Sequence, residues 1–377
     1  MMRTRLVFLS TSAMVVVLFT GMIVASRETK EDLFKALGNL AEVIHLVRNE
    51  YVDQLNTEAL QLSLDAGIVE SVDQAAAVLP ESDVEAYQSL NRSPPPFGLV
   101  LASRLSSAAV RHVMTESPAA AAGIQQWEVL ERVEGVNTRG RPLWQVRLEL
   151  ANREWSGQTV SLTVMDRDVE ERREVVLSPT EWQPSSVAVQ ARAETLVMQI
   201  NSLPAEAATQ VKDRAQPDWG LVLDLRQLVW GLEDEAIAVA DLFVSEGVLG
   251  GWRGRRAGAQ TFQATDEELP LQLPVVVIGH DTEGVGEILA AALQRSGATV
   301  IGHRSAGHAP HMRIVRDGEI NLWLPVGLWL RGDDEPIDGN GIVPDEVVET
   351  TPESDEGLDP VLDSAIELAG EPLDQAA

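Results

Sequence analysis

The sequence predicts a mixed α/β protein with three parts: a helical region first, a β-rich module after it, and an α/β core towards the C-terminal end. Three patterns lead there. From Val187 onward, strand-type runs alternate with helix-type runs, the mark of an α/β fold. Between Phe97 and Pro179, short β-branched runs follow one another closely. Between Glu31 and Leu90, apolar residues recur at helical intervals.

The chain opens with Arg3 and Arg5, followed by Leu6 to Ala25, a stretch of twenty residues without charge. At ~1.5 Å per residue it is long enough to cross a ~30 Å hydrocarbon core. Mixed charges follow (Arg27, Glu28, Lys30, Glu31, Asp32), so the positive-inside rule places the rest outside the cytoplasm. A signal peptide cleaved near Val24-Ala25-Ser26 is the alternative. Both leave the bulk of the chain extracytoplasmic, and the first makes the membrane a partner through segment 1–26. The expected location is the inner (cytoplasmic) membrane, facing the periplasm.

Residues 27–92 form the expected helical region. Leu33, Leu37, Leu40, Val43, Ile44, Val47 and Tyr51 lie at helical spacing; further helices are expected from Thr57 to Val72 and from Ser82 to Leu90. The run Ser93-Pro94-Pro95-Pro96 ends the region, because three prolines continue neither helix nor central strand. The β-rich module, 93–180, has strand runs at Gly98–Ala102, Ala109–Met114, Val129–Val133, Val160–Met165 and Glu174–Leu177. Two helices are expected between them, Ala119–Ala122 and Trp144–Leu150, with Gly123 suited to the left-handed residue after a helix.

The core, 181–350, is expected to hold strands at Leu196–Ile200, Gly220–Leu225, Pro274–Ile278, Thr299–Ile301 and Asn321–Leu330. Its helices are Glu233–Ser245 and a second carrying Val285, Ile288, Leu289, Ala292 and Leu293 on one stripe. A glycine-bearing loop with His308 and His311 follows His303. A last helix, Asp359–Ala369, lies in the C-terminal part, 351–377. Strand, turn and helix N-terminus at 274–293 make a place where a nucleophile and free N–H groups meet.

Composition excludes some functions. The formal charge of −29 leaves no basic stripe for phosphates, which argues against nucleic acid. With no cysteine there are no disulfides, thiolate metal sites or cysteine nucleophiles. No cofactor is indicated. His303, His308 and His311 with Asp281 or Glu283 match no zinc signature, so no metal is expected.

Several motifs, taken in order, resemble one family. Ser117-Pro118-Ala119, Ala122-Gly123-Ile124 and Val133-Glu134-Gly135 are similar to the signature of a PDZ domain. Leu223-Asp224-Leu225-Arg226, Ala238 to Phe243 and Gly339-Asn340-Gly341-Ile342-Val343-Pro344-Asp345 resemble the core of the carboxyl-terminal processing peptidases, the S41 serine peptidases. The resemblance implies a protease-type α/β core with an inserted PDZ domain. It also exposes departures. With Glu287-Ile288 fixing the register, the nucleophile position is Gly284, the lysine-base position is His308 and the assisting glutamine position is Met312. The turn that helps build the oxyanion hole reads Leu228-Val229-Trp230-Gly231.

Glycine offers no oxygen for attack, so a catalytically silent peptidase fold is the expectation. The alternative is an active hydrolase using Thr282 or Ser305 with His308. Phe97-Gly98-Leu99-Val100 lies where PDZ domains carry their carboxylate-binding loop, so the expected partners are polypeptide C-termini or a partner protein. A homo-oligomer, or pairing with an active paralogue, is a further expectation.

Overall fold

The structure, a computed structural model, describes residues 34–370 apart from 36, 53–56, 74, 167–170, 185, 193, 217, 266–271 and 349–358. The apolar segment 6–25 therefore lies outside the described residues. Among those described, no helix is long and apolar enough to cross a membrane. The chain divides into two compact units, Met1–Leu62 and Ser63–Ala377. In the first, helix α1 covers 34–50 as far as it is described, and leaves Leu37, Val43, Leu46 and Val47 exposed. Helix α2 (Thr57–Glu70) runs across the division.

The second unit is organised by a six-stranded sheet, in spatial order β17 (Glu346–Val347), β14 (Val300–Gly302), β13 (Val275–Ile278), β10 (Gly220–Asp224), β9 (Thr195–Ile200) and β8 (Val187–Arg192). All neighbours are parallel except β8 and β9. A parallel sheet covered on both faces needs strands that are apolar throughout, which is why β13 reads Val-Val-Val-Ile. Alternation assigns the faces. Leu221, Leu223, Val276, Ile278 and Val300 pack with helices α7 (Glu233–Asp241) and α8 (Val285–Arg295). Val222, Val275, Val277 and Ile301 pack with helix α9 (Pro360–Gly370). Helix α8 is buried from Val285 through Leu293, so its apolar residues surround the axis instead of marking one stripe.

The β-rich module forms its own sheet, β2 (Leu99–Arg104), β3 (Ser107–Val113), β4 (Val129–Val133), β6 (Val160–Asp166) and β7 (Glu171–Leu177), with β5 (Val136–Asn137) beside β4. Strand β2 is at an edge. Helix α4 (Pro118–Ala121) starts on Ser117, whose Oγ accepts from the Ala120 N–H at 3.1 Å, and Gly123 has the expected positive φ of 71°. Helix α5 (Leu143–Trp155) serves two cores. Val146 and Leu150 face the module, whereas Trp144, Leu148 and Ala151 face Tyr87 and Leu90 of α3 (Glu81–Arg92).

A third sheet joins β1 (Ala77–Leu79), β16 (Ile320–Trp329), β11 (Val248–Arg253) and β12 (Ala259–Gln263), with β15 (Pro310–Asp317) on the other side of β16. Much of it goes beyond the sequence reading. His311 sits on β15, where the sequence suggested a loop. Helix α6 (Ala207–Arg214) is likewise absent from the sequence reading.

Because Ala365 of α9 is fully buried against the sheet, Ala365→Asp places an unpaired carboxylate in the core. It is expected to lower stability by more than ~3 kcal/mol, read as a fall in melting temperature. An unchanged melting curve would show that α9 is dispensable.

Candidate active site

The carboxyl end of β13 leads into a turn, Gly279 to Gly284, and then into α8. Thr282 closes the turn. Its Oγ1 accepts from the Gly279 N–H at 3.0 Å and donates to the Leu225 carbonyl at 3.0 Å, and the residue is fully buried. Both hydrogen-bonding roles of the hydroxyl are taken within the fold. Gly284 caps the helix with φ 56° and ψ −113°, a backbone conformation that strains any residue bearing a Cβ. A Cβ built there would have no neighbour nearer than the His308 carbonyl oxygen at 4.0 Å, so the space for a side chain is open. Gly286 is different: a Cβ would lie 2.7 Å from the Leu228 carbonyl oxygen, because the 228–231 turn packs directly on the helix tip.

Glu287, three residues into the tip, is wholly buried. Its carboxylate accepts from Ser305 Oγ at 2.5 Å, Gly307 N–H at 2.6 Å, His308 N–H at 2.9 Å and Gly284 N–H at 3.2 Å. Burial raises its pKa, and these donors oppose the rise. Ser305 Oγ also accepts from the Ile342 N–H at 2.6 Å. The Ser305 hydroxyl is therefore engaged on both sides, like that of Thr282.

The Glu287 bonds bring the His308 backbone to the Gly284 cap, where the Gly284 N–H also donates to the His308 carbonyl at 3.1 Å. The His308 ring has two partners of its own. Nδ1 lies 3.0 Å from Glu283 Oε1, and Nε2 lies 3.2 Å from Asp73 Oδ2. Ionised carboxylates only accept, so both ring nitrogens donate and the ring is a cation. The hydrogen bonds to Asp73 and Glu283 push its pKa up to about 10, against the effect of burial. Asp73 is lowered in turn: burial works against its ionisation, but the bonds from His308 and the Ala75 N–H prevail.

Glu283 passes the charge alternation on to the module, since Arg111 of β3 pairs with it at 3.3 Å and with Asp281 at 2.7 Å. Trp127, in the turn before β4, has φ 71° and an indole ring 5.0 Å from Arg111 and 5.6 Å from Arg104.

Two cavities adjoin the site. One, of about 890 Å³, is lined by Gly284, Val285, Ile288, Trp230, Met312 and Trp323. The other, of about 1110 Å³, runs beside β2 and includes Val100 to Arg104, Trp127 and His308. Arg147 and Val229 line both. Gly284 and Met312 thus line one space, while His308 lines the neighbouring one. The three loop histidines separate. His303 stacks on His280 with centroids 5.1 Å apart, and His311 stacks on Trp252 while bonding Glu233 at 2.7 Å. Among the described residues no group of three potential ligands is placed to hold a metal.

Residues 197–348 match the model of peptidase family S41. That stretch takes in most of the six-stranded sheet with α7 and α8, so the core is similar to the S41 family. A carboxy-terminal-processing protease of Bartonella bacilliformis is 26% identical over 359 residues, which cover 90% of this chain and 81% of the relative. A probable CtpA-like serine protease of Staphylococcus aureus is 23% identical over 331 residues. Those residues cover 83% of this chain and 65% of the relative, so the chain spans a little under two thirds of that protein. The photosystem II D1 C-terminal processing protease shares the fold, with a TM-score of 0.61, 17% identity, and coverage of 87% of this chain and 90% of that one.

Sequence reasoning did not find the partners of His308. Asp73 is 235 positions away and Glu283 25, and no local pattern links them to the histidine. A histidine whose folded pKa is raised adds stability that is fully present below its unfolded value, near 6.5, and is lost as pH rises through about 10. His308→Gln is expected to flatten the fall in stability across that alkaline window, measured by denaturant titration at stepped pH. An identical pH slope in wild type and variant would show that His308 is not held as a cation.

Proposed function

We propose that this chain is an S41 peptidase-like protein without peptidase activity. On this reading it is held outside the cytoplasm by its N-terminal segment and binds extended polypeptide in the groove beside β2, through a module of PDZ type. The observation that carries the inactive reading is the pair Gly284 and His308. A peptidase of this kind needs an oxygen nucleophile and a base able to take its proton. Gly284 has no side chain at the helix tip. His308, at the base position, has both ring nitrogens turned to carboxylates.

The alternative constellations meet the same obstacle. Thr282 and Ser305 each hold a buried hydroxyl already bonded as donor and as acceptor. Neither has a free base in His308. The binding reading rests on the open edge of β2 and the cavity along it. Pairing with an active paralogue, or with a second copy, fits a retained scaffold whose chemistry has gone.

The purified protein is expected to cleave unstructured polypeptides no faster than its Thr282→Ala, Ser305→Ala and His308→Ala variants. Gly284→Ser is expected to remain silent too, because a protonated imidazole cannot take the new hydroxyl's proton. Cleavage by the wild type that any of the three alanine changes abolishes would establish the active reading instead.

A further inference from the structure

The turn before β2 and the open edge of that strand point to different kinds of ligand. A backbone turn captures a chain-terminal carboxylate when successive N–H groups are free to receive it. At Pro96–Gly98 they are not free. The Phe97 N–H donates to Glu154 Oε1 at 2.8 Å, the Gly98 N–H to the Pro95 carbonyl at 2.8 Å, and the Leu99 N–H to the Pro96 carbonyl. Glu154 reaches the turn from the last turn of α5, the helix that flanks β2.

The turn is also fixed in shape. Phe97 is fully buried with φ 53°, and a Cβ on Gly98 would sit 2.1 Å from the Ser117 Cβ, so the segment has little room to swing its donors outward.

Strand β2 offers the opposite. It pairs with β3 alone among the described strands, which leaves the other side of its backbone open as a pairing template. The cavity beside it holds more unmatched positive than negative charge. Arg104 has the Trp127 ring for a neighbour and no ion pair among the described residues. Arg147 bonds only neutral groups, Tyr87 Oη and Asn91 Oδ1. The acids lining the same space, Glu128, Asp166 and Glu283, all have partners of their own.

We propose that this groove takes an internal, extended segment of an acidic polypeptide, paired edge to edge with β2, and that Glu154 fills the place a terminal carboxylate would need. The inference rests on the peptide-binding reading above and narrows it: a free C-terminus is not the recognised feature.

Selection with the full chain from two phage libraries of short random peptides tests it, one library displaying peptides inside a loop and the other ending in a free carboxylate. Enrichment from the loop library, rich in Asp and Glu, is expected. A selected peptide made as free acid and as C-terminal amide should then bind the wild type equally, within about twofold. Glu154→Ala releases the Phe97 donor and should favour the acid form by about tenfold, the worth of one charge-assisted hydrogen bond. Glu154→Gln keeps an acceptor in place and should show no such preference, with melting curves confirming that both variants fold. Enrichment from the free-carboxylate library alone, or a tenfold loss on amidation in the wild type, overturns the inference but leaves peptide binding standing. Loop peptides without acidic bias overturn the charge argument. No enrichment from either library removes the binding reading itself.

Discussion

The site depends on one buried carboxylate. Glu287 gathers four hydrogen bonds from the helix cap and from the 305–308 loop, segments about twenty positions apart in sequence. A buried carboxylate with fewer donors would be costly, so the loop cannot leave without a large penalty. The scaffold around the helix tip is therefore fixed by a residue that faces inward. Of the positions that line the cavity, Gly284 contributes its backbone N–H alone and Met312 contributes none of the four bonds. This division separates what holds the helix tip in place from what lines the cavity beside it.

The second constraint is electrostatic. Asp73, His308, Glu283, Arg111 and Asp281 alternate in charge from the core to the β-rich module. An imidazole in such a chain contributes as a cation and not as a base, since releasing its proton leaves two carboxylates with one fewer counter-charge. Histidine's usual place near neutral pH is thus no guide to its role here. Its neighbours decide, and two of them come from elsewhere in the fold.

What could be read from the sequence follows from what is local. The central strands β10 and β13, the helices α7 and α8, and β4 carry apolar runs or helical spacing within a few residues, and the structure has them where the pattern put them. Strands β11 and β12 escaped because their fit depends on each other. Gly251 lies where a Cβ would meet the Gln260 carbonyl oxygen at 2.4 Å, so the glycines that hide the strand in sequence are required by its pairing. Strand β15 begins with a proline and has exposed charges along it, and β1 has only three residues. For the site, the strand, turn and helix around Gly284 were legible because their apolar pattern is local. The partners of His308, and the occupation of the Phe97 turn by Glu154, were not, since each joins residues far apart in sequence through side-chain direction alone.

The most direct test is the protonation state of the His308 ring, followed by ¹⁵N NMR on histidine-labelled protein with His308→Gln to assign the signal. Both ring nitrogens should carry protons at neutral pH, and the signal should titrate near pH 10. A ring that is neutral by about pH 8, titrating near the ordinary histidine value of ~6.5, would free a base beside the helix tip and contradict the account.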